Sequence, residues 1–172
     1  MPTIGLVTAR SPLPLRSTTL DDGRQSARAS DIARGAARLL AQHDLRCITE
    51  VTLANGRRAD LLAVGPKGEI WIIEVKSSFE DFRTDSKWPA YREFCDRLYF
   101  AVAADFPEDV LPEDVGLMIC DRYGGEMLRE APDHALATAR RKALLLRFAR
   151  VAAGRLMTIK DPEQALEPLP RD

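Results

Sequence analysis

Only two histidines and three cysteines occur in these 172 residues, and their scarcity excludes several chemistries. Cys47, Cys95 and Cys120 are odd in number and widely spaced, with no CxxC pair and no Cys/His cluster. Neither a disulfide framework nor a zinc site is expected; buried free thiols in a reducing cytosol fit instead. His43 and His134 both read as surface residues. No apolar run approaches the roughly 18–20 residues that cross a bilayer. The opening MPTIGLVTARSPLPL is broken by proline where a signal peptide is uninterrupted. A cytoplasmic protein with no membrane partner is expected. Net charge is missing too: 25 basic against 26 acidic residues leave −1, so the total does not announce a nucleic-acid binder.

Charge is present in distribution rather than in sum. Between residues 103 and 136 stand nine acids and two arginines, whereas 138–160 holds seven basic residues and no acid. Such segregation makes a basic side and an acidic side, or else ordinary solvated faces. With 45% hydrophobic content the chain can bury one core. Residues 1–23, rich in Pro, Ser and Thr, read as a flexible tail, with a short edge strand over Ile4, Leu6 and Val7 as the lesser alternative. Residues 24–159 form the domain, and the prolines after 160 mark a disordered end.

Within the domain, Ile32, Ala33, Ala36, Leu39 and Leu40 follow helical spacing and predict a helix over 26–43. Strands are expected over 46–53, over the two arms of a hairpin, over 97–103 and over 115–120, with a short helix opening at Pro89. A long helix is expected from near Asp133 to about Met157, with Leu145, Ala149, Ala152 and Leu156 as its apolar stripe. This order suits an α/β fold with a central mixed sheet and helices on both faces.

The hairpin, RRADLLAVGPKGEIWIIEVKSS, carries the chemistry. Gly65-Pro66-Lys67-Gly68 is its turn, and folding about Lys67 sets Asp60 opposite Glu74. Directly opposed residues on one face have Cβ atoms roughly 4.5–5.5 Å apart. Two carboxylates so placed repel each other, and a divalent cation between them removes that cost. Glu74 and Lys76 share a face while Val75 points to the other. Hard carboxylate oxygens suit Mg²⁺ or Mn²⁺, and a metal-acidified water needs no histidine base. The alternative is structural, with Asp60 capping a turn and Glu74 pairing with Lys76.

Asp60 followed by Glu74-Val75-Lys76 resembles the core of the PD-(D/E)XK nuclease superfamily, with Ala59 where the motif's name has proline. There, one acid and an acid-x-Lys on the next strand bind Mg²⁺ and polarise the attacking water. GRRADLLAV, IIEVKSSFEDFRTDSKWPAY, CDRLYFAV, GLMICD and ARRKALLLRFARVAAGRL, in that order, resemble the MmcB family of bacterial DNA repair proteins over residues 31–157. The resemblance implies a restriction-endonuclease-like sheet, catalytic Asp60, Glu74 and Lys76, and the Val75 carbonyl as a further metal ligand.

Other residues remain open between roles. Ile48, Glu50 and Thr52 share a face of the first strand, and Glu50 is either another metal ligand or an exposed strand residue. Asp81, Asp85, Lys87, Trp88 and Tyr91 crowd the stretch after the motif. Trp88 reads as packing, Tyr91 as packing or base stacking, and Lys87 as a phosphate contact. Arg57 and Arg58 flank the proposed centre, and Arg140 and Arg147, seven apart, could follow a DNA backbone or stand as solvated charges. The function expected is a metal-dependent DNA endonuclease in repair. The alternatives are a DNA-binding accessory protein that cleaves poorly on the same scaffold, or an RNA endonuclease. DNA, other repair proteins and a second copy of the chain are the expected partners.

Overall fold

The computed structural model describes residues 26–163. The expected N-terminal tail with its edge strand, and the tail from 164 onward, lie outside the described residues. Helix α1 spans Ala27–Gln42, followed by β1 (Arg46–Thr52), β2 (Arg58–Val64) and β3 (Ile70–Lys76). Then come α2 (Phe79–Thr84), a 3₁₀ turn (Trp88–Phe94), β4 (Arg97–Val102), β5 (Gly116–Cys120), β6 (Gly125–Arg129) and α3 (Thr138–Lys160). The six strands form one sheet in chain order. β3–β4 and β4–β5 are parallel; the remaining neighbours are antiparallel. This is the mixed α/β sheet expected from the order of elements.

Why the centre of the sheet lies where it does follows from composition. β3 and β4 read as continuous apolar runs, IWII and LYFAV, which suits parallel strands covered on both faces. Ile70, Ile72, Leu98, Phe100 and Val102 pack with the 3₁₀ turn's Tyr91 and Phe94 and with Leu144 of α3. The intervening Ile73, Val75, Tyr99 and Ala101 pack under Ile32, Ala36, Leu39 and Leu40 of α1. α1 therefore covers one face, while α2, the 3₁₀ turn and α3 lie on the other.

Local signals explain most boundaries. Ser26 caps α1 by accepting from the Ala29 amide at 3.1 Å. In the hairpin turn Gly68 adopts φ +78°, the left-handed region that glycine enters without a Cβ penalty. The β2–β3 register pairs Leu61 with Ile73 and Val64 with Ile70, as folding about Lys67 requires.

Three departures have physical causes. α2, only six residues long, was not anticipated, although Ser78 caps it by accepting from the Asp81 amide at 3.1 Å. β6 was also missed: its residues are exposed or half-buried, so no apolar alternation marks it, and Gly124-Gly125 read as a stop. α3 begins five residues later than expected, at Thr138. The Asp133 carboxylate pairs with Arg97 at 2.7 Å and the His134 amide donates to the Asp96 carbonyl at 2.7 Å, which holds this stretch out of the helix. The stripe on α3 is shifted as well, with Leu144 buried and Leu156 half exposed. Among the described residues no helix is long and apolar enough to cross a membrane.

Candidate active site

Asp60 and Glu74 stand at the adjoining ends of β2 and β3, where the regular ladder stops at Leu61–Ile73. Their side chains replace the backbone pairing. The Val75 amide donates to Asp60 Oδ2 at 2.8 Å, and the Asp60 amide donates to Glu74 Oε1 at 3.3 Å. Each carboxylate thus reaches across to the other strand, which brings the two acids together. Glu74 and Lys76 are each only 4% exposed, and Asp60 is half-buried.

Burial dominates the electrostatics. It pushes Asp60 up to about 6, with the charges of Glu50 and Asp81 adding to the effect and the Val75 amide and Lys76 opposing it. Glu74 is pushed well above the usual carboxylate range by burial first and by the Asp60 charge second. Both acids are driven toward the neutral form, by desolvation and by each other. Burial acts on Lys76 in the opposite sense, but Asp85 outweighs it and holds the ammonium protonated. Lys76 Nζ donates to Asp85 Oδ2 at 2.6 Å.

The sequence reading gave Asp81 and Asp85 no role. Asp85 ends α2, where its second oxygen accepts from the Lys87 amide at 2.8 Å, and it fixes the lysine. Asp81 lies in the first turn of α2, accepts from the Ser77 amide at 3.2 Å, and acts on both Asp60 and Lys76. A Ser-x-x-Asp capping pattern two residues past the lysine was the available signal.

Glu50 adopts φ +52°, a costly conformation for a residue with a Cβ. The strand changes phase there. Ile48 packs toward the cluster that also holds Val51 and Leu53, so Ile48, Glu50 and Thr52 do not continue along one face. The Glu50 carboxylate lies 2.5 Å from Arg58 Nε, outside hydrogen-bond geometry, and Arg155 donates to the Glu50 carbonyl at 3.3 Å. Glu50 influences Asp60 by charge, but no cluster of three or more His, Cys, Asp or Glu able to hold a metal exists among the described residues.

The basic and aromatic candidates separate into two groups. Arg57 is half-buried and Arg58 and Lys87 are exposed beside the acids. Tyr91 is buried, its hydroxyl donating to the Arg58 carbonyl at 2.9 Å, so it offers no face for base stacking. Burial and the neighbouring acids Glu74, Asp60 and Asp85 push its phenol up. Trp88 packs edge-on against Phe100, as expected. Arg140 donates to the Glu93 carbonyl at 2.7 Å and lies over the Phe94 ring, and Arg147 is 8% exposed. These last two are therefore not a free basic stripe. A separate open groove of about 950 Å³, between the start of α1 and the ends of β4 and β5, is lined by none of these residues.

Two carboxylates that repel each other, one buried and one half-buried, fit one divalent cation, because Mg²⁺ needs only one or two carboxylates and keeps several waters. Glu74 and Lys76 also end β3 on the carboxyl side of the parallel strands, where open α/β sheets bind ligands.

The fold and this acid pair define an open mixed-sheet α/β protein with two opposed carboxyl groups on the hairpin at the centre of its sheet. The chain belongs to the MmcB-like DNA repair protein family, whose description "DNA repair protein MmcB-like" matches residues 16–163. A role in DNA repair follows. It is similar to a solved structure described as "SPO1766 protein of unknown function from Silicibacter pomeroyi", with 46% identity, TM-score 0.79, and coverage of 82% of this chain and 97% of that one. No curated protein matches.

Proposed function

We propose that this chain is a metal-dependent endonuclease of the PD-(D/E)XK type, hydrolysing DNA phosphodiesters during repair in the cytoplasm. The observation that supports it best is the reciprocal placement of Asp60 and Glu74, each bonded to the other strand's backbone and each destabilised as an anion. Buried like charges are costly unless something offsets them. Asp60 and Glu74 would hold Mg²⁺ or Mn²⁺, with the Val75 carbonyl as a further donor. Such an ion, when bound, acidifies water and neutralises phosphate charge.

Lys76 supplies a fixed charge rather than a base. Held protonated by Asp85, it is a poor base and a good fixed positive charge. Its role is to stabilise charge developing on the phosphate oxygens. Arg57, Arg58 and Lys87 would contact the nucleic-acid backbone around it.

The Lys76–Asp85 pair also favours a second reading. An ammonium already engaged at 2.6 Å, with no metal-holding group of three or more His, Cys, Asp or Glu among the described residues, suits an accessory repair protein that binds DNA on this scaffold without cutting it. Purified protein given gapped, branched, single-stranded and duplex DNA with Mg²⁺ or Mn²⁺ separates the two. Cleavage lost in both Glu74→Ala and Lys76→Ala supports the enzyme. Binding by the parent and both variants with no cutting supports the accessory role. A parallel RNA panel tests the choice of nucleic acid.

A further inference from the structure

The outward face of α3 is apolar where a solvated helix is usually charged. Inward, only Leu144 and Arg147 are buried. On the opposite side, at 3.6 residues per turn, Leu146, Ala149, Ala153, Leu156 and Met157 fall in one stripe. Leu146 is 59% exposed, Leu156 51% and Met157 42%. From Leu146 to Met157 the stripe runs about 16 Å, three helical turns. An exposed apolar stripe rimmed by polar residues marks an interaction site. Lys142, Arg150 and Lys160 are exposed on this same side, near its start, middle and end, and α3 carries no acid at all.

We propose that this face binds an amphipathic helix of a partner protein whose leucine-type anchors are flanked by acidic residues. The charge pattern selects the occupant. A second copy docking α3 on α3 would set Lys142, Arg150 and Lys160 against their own copies, with no acid on the helix to offset them. DNA would set phosphates against the alkyl side chains of the stripe, with Lys142, Arg150 and Lys160 only at its margins. A lipid surface takes up bulky anchors along the whole inserted face, whereas the middle of this stripe is Ala149 and Ala153. Ala149 and Ala153 instead allow a partner backbone to approach between the larger anchors, and helix-in-groove recognition uses such i, i+3, i+7 spacing. The inference is independent of whether the hairpin site cuts DNA.

The test is fluorescence anisotropy of the full chain with a labelled helical peptide about four turns long, built of Leu and Ala on one face and Glu beside it. Its Lys-for-Glu counterpart, a duplex oligonucleotide and anionic phosphatidylglycerol vesicles are run beside it. The Glu peptide is expected to bind at about 10 μM or tighter. L146E combined with M157E weakens it about tenfold or more, with an unchanged melting curve because both side chains are exposed. Lys142→Glu with Lys160→Glu transfers preference to the Lys peptide. Equal affinity for the two peptides overturns the proposal. So does vesicle binding, or a dimer seen by sedimentation, that L146E/M157E abolishes while the Glu peptide fails to bind.

Discussion

Asp60, with an ordinary value of 3.8 raised to about 6, keeps a proton in the folded chain that the unfolded chain has already lost. Between about pH 4 and pH 6 the folded state therefore binds more protons, and stability falls as pH rises through that window. Glu74 acts in the same direction. After allowance for partial exposure, Asp60 alone accounts for roughly 2 kcal/mol, or several degrees in melting temperature. Metal-free protein is expected to melt lower at pH 7.5 than at pH 5.5 on this account. Mg²⁺ is expected to raise the melting point at pH 7.5 and much less at pH 5.5, where protons compete. Glu74→Gln should flatten both trends; differential scanning calorimetry at the two pH values, with and without Mg²⁺, decides it. Lys76 supplies the complementary case. Asp85→Asn leaves a buried ammonium without its partner, and breaking such a pair costs about 3 kcal/mol, visible as a lower urea midpoint. Asp85→Glu, which preserves the charge, should recover most of it.

At the scale of elements, the hairpin was legible because its turn is spelled by Gly65-Pro66-Lys67-Gly68 and its arms are apolar, so register and the meeting of Asp60 with Glu74 followed from spacing. α1 was legible from its 3.6-residue spacing and its serine cap. The left-handed backbone at Glu50 was not, since nothing local requires a glutamate to take φ +52°; the Arg58 and Arg155 contacts around it come from β2 and from the far end of the chain. Arg147 likewise looked like a surface charge, because burial of a helix position is decided by what packs on it. One consequence of packing concerns α1 and the β5–β6 turn. A Cβ on Gly35 would lie 2.0 Å from the Asp121 carbonyl oxygen and 2.4 Å from that of Gly124. Backbone atoms cannot rotate away, so Gly35→Ala must lift α1 from the sheet. The helix-propensity gain of about 1 kcal/mol is smaller than the roughly 3 kcal/mol expected from overpacking. Thermal melting should fall by several degrees, and hydrogen exchange should quicken in α1 before β3.

For the molecule as a whole, balanced charge means that any hold on DNA comes from placement rather than from sum. Exposed acids follow β4 over residues 105–114, where Asp105 pairs with Arg28 and Asp114 with Arg92. Arg140 is engaged with Glu93 and the Phe94 ring, and Arg147 is buried, so neither has a free guanidinium to neutralise a phosphate from solvent. Arg58 and Lys87 are exposed and Arg57 is half-buried; Arg58 pairs with Glu50, and the Lys87 amide donates to Asp85, the partner of Lys76. Each phosphate contact to duplex DNA contributes about 0.9 to the slope of log affinity against log salt. In titrations across salt concentration, Arg58→Ala and Lys87→Ala are each expected to lower that slope by close to this amount. Arg140→Ala should leave the slope unchanged while lowering thermal stability through the lost contact with the 3₁₀ turn. If Arg140→Ala lowered the slope and Lys87→Ala did not, the DNA would lie along α3 rather than over the hairpin, and the acid pair would lose its substrate.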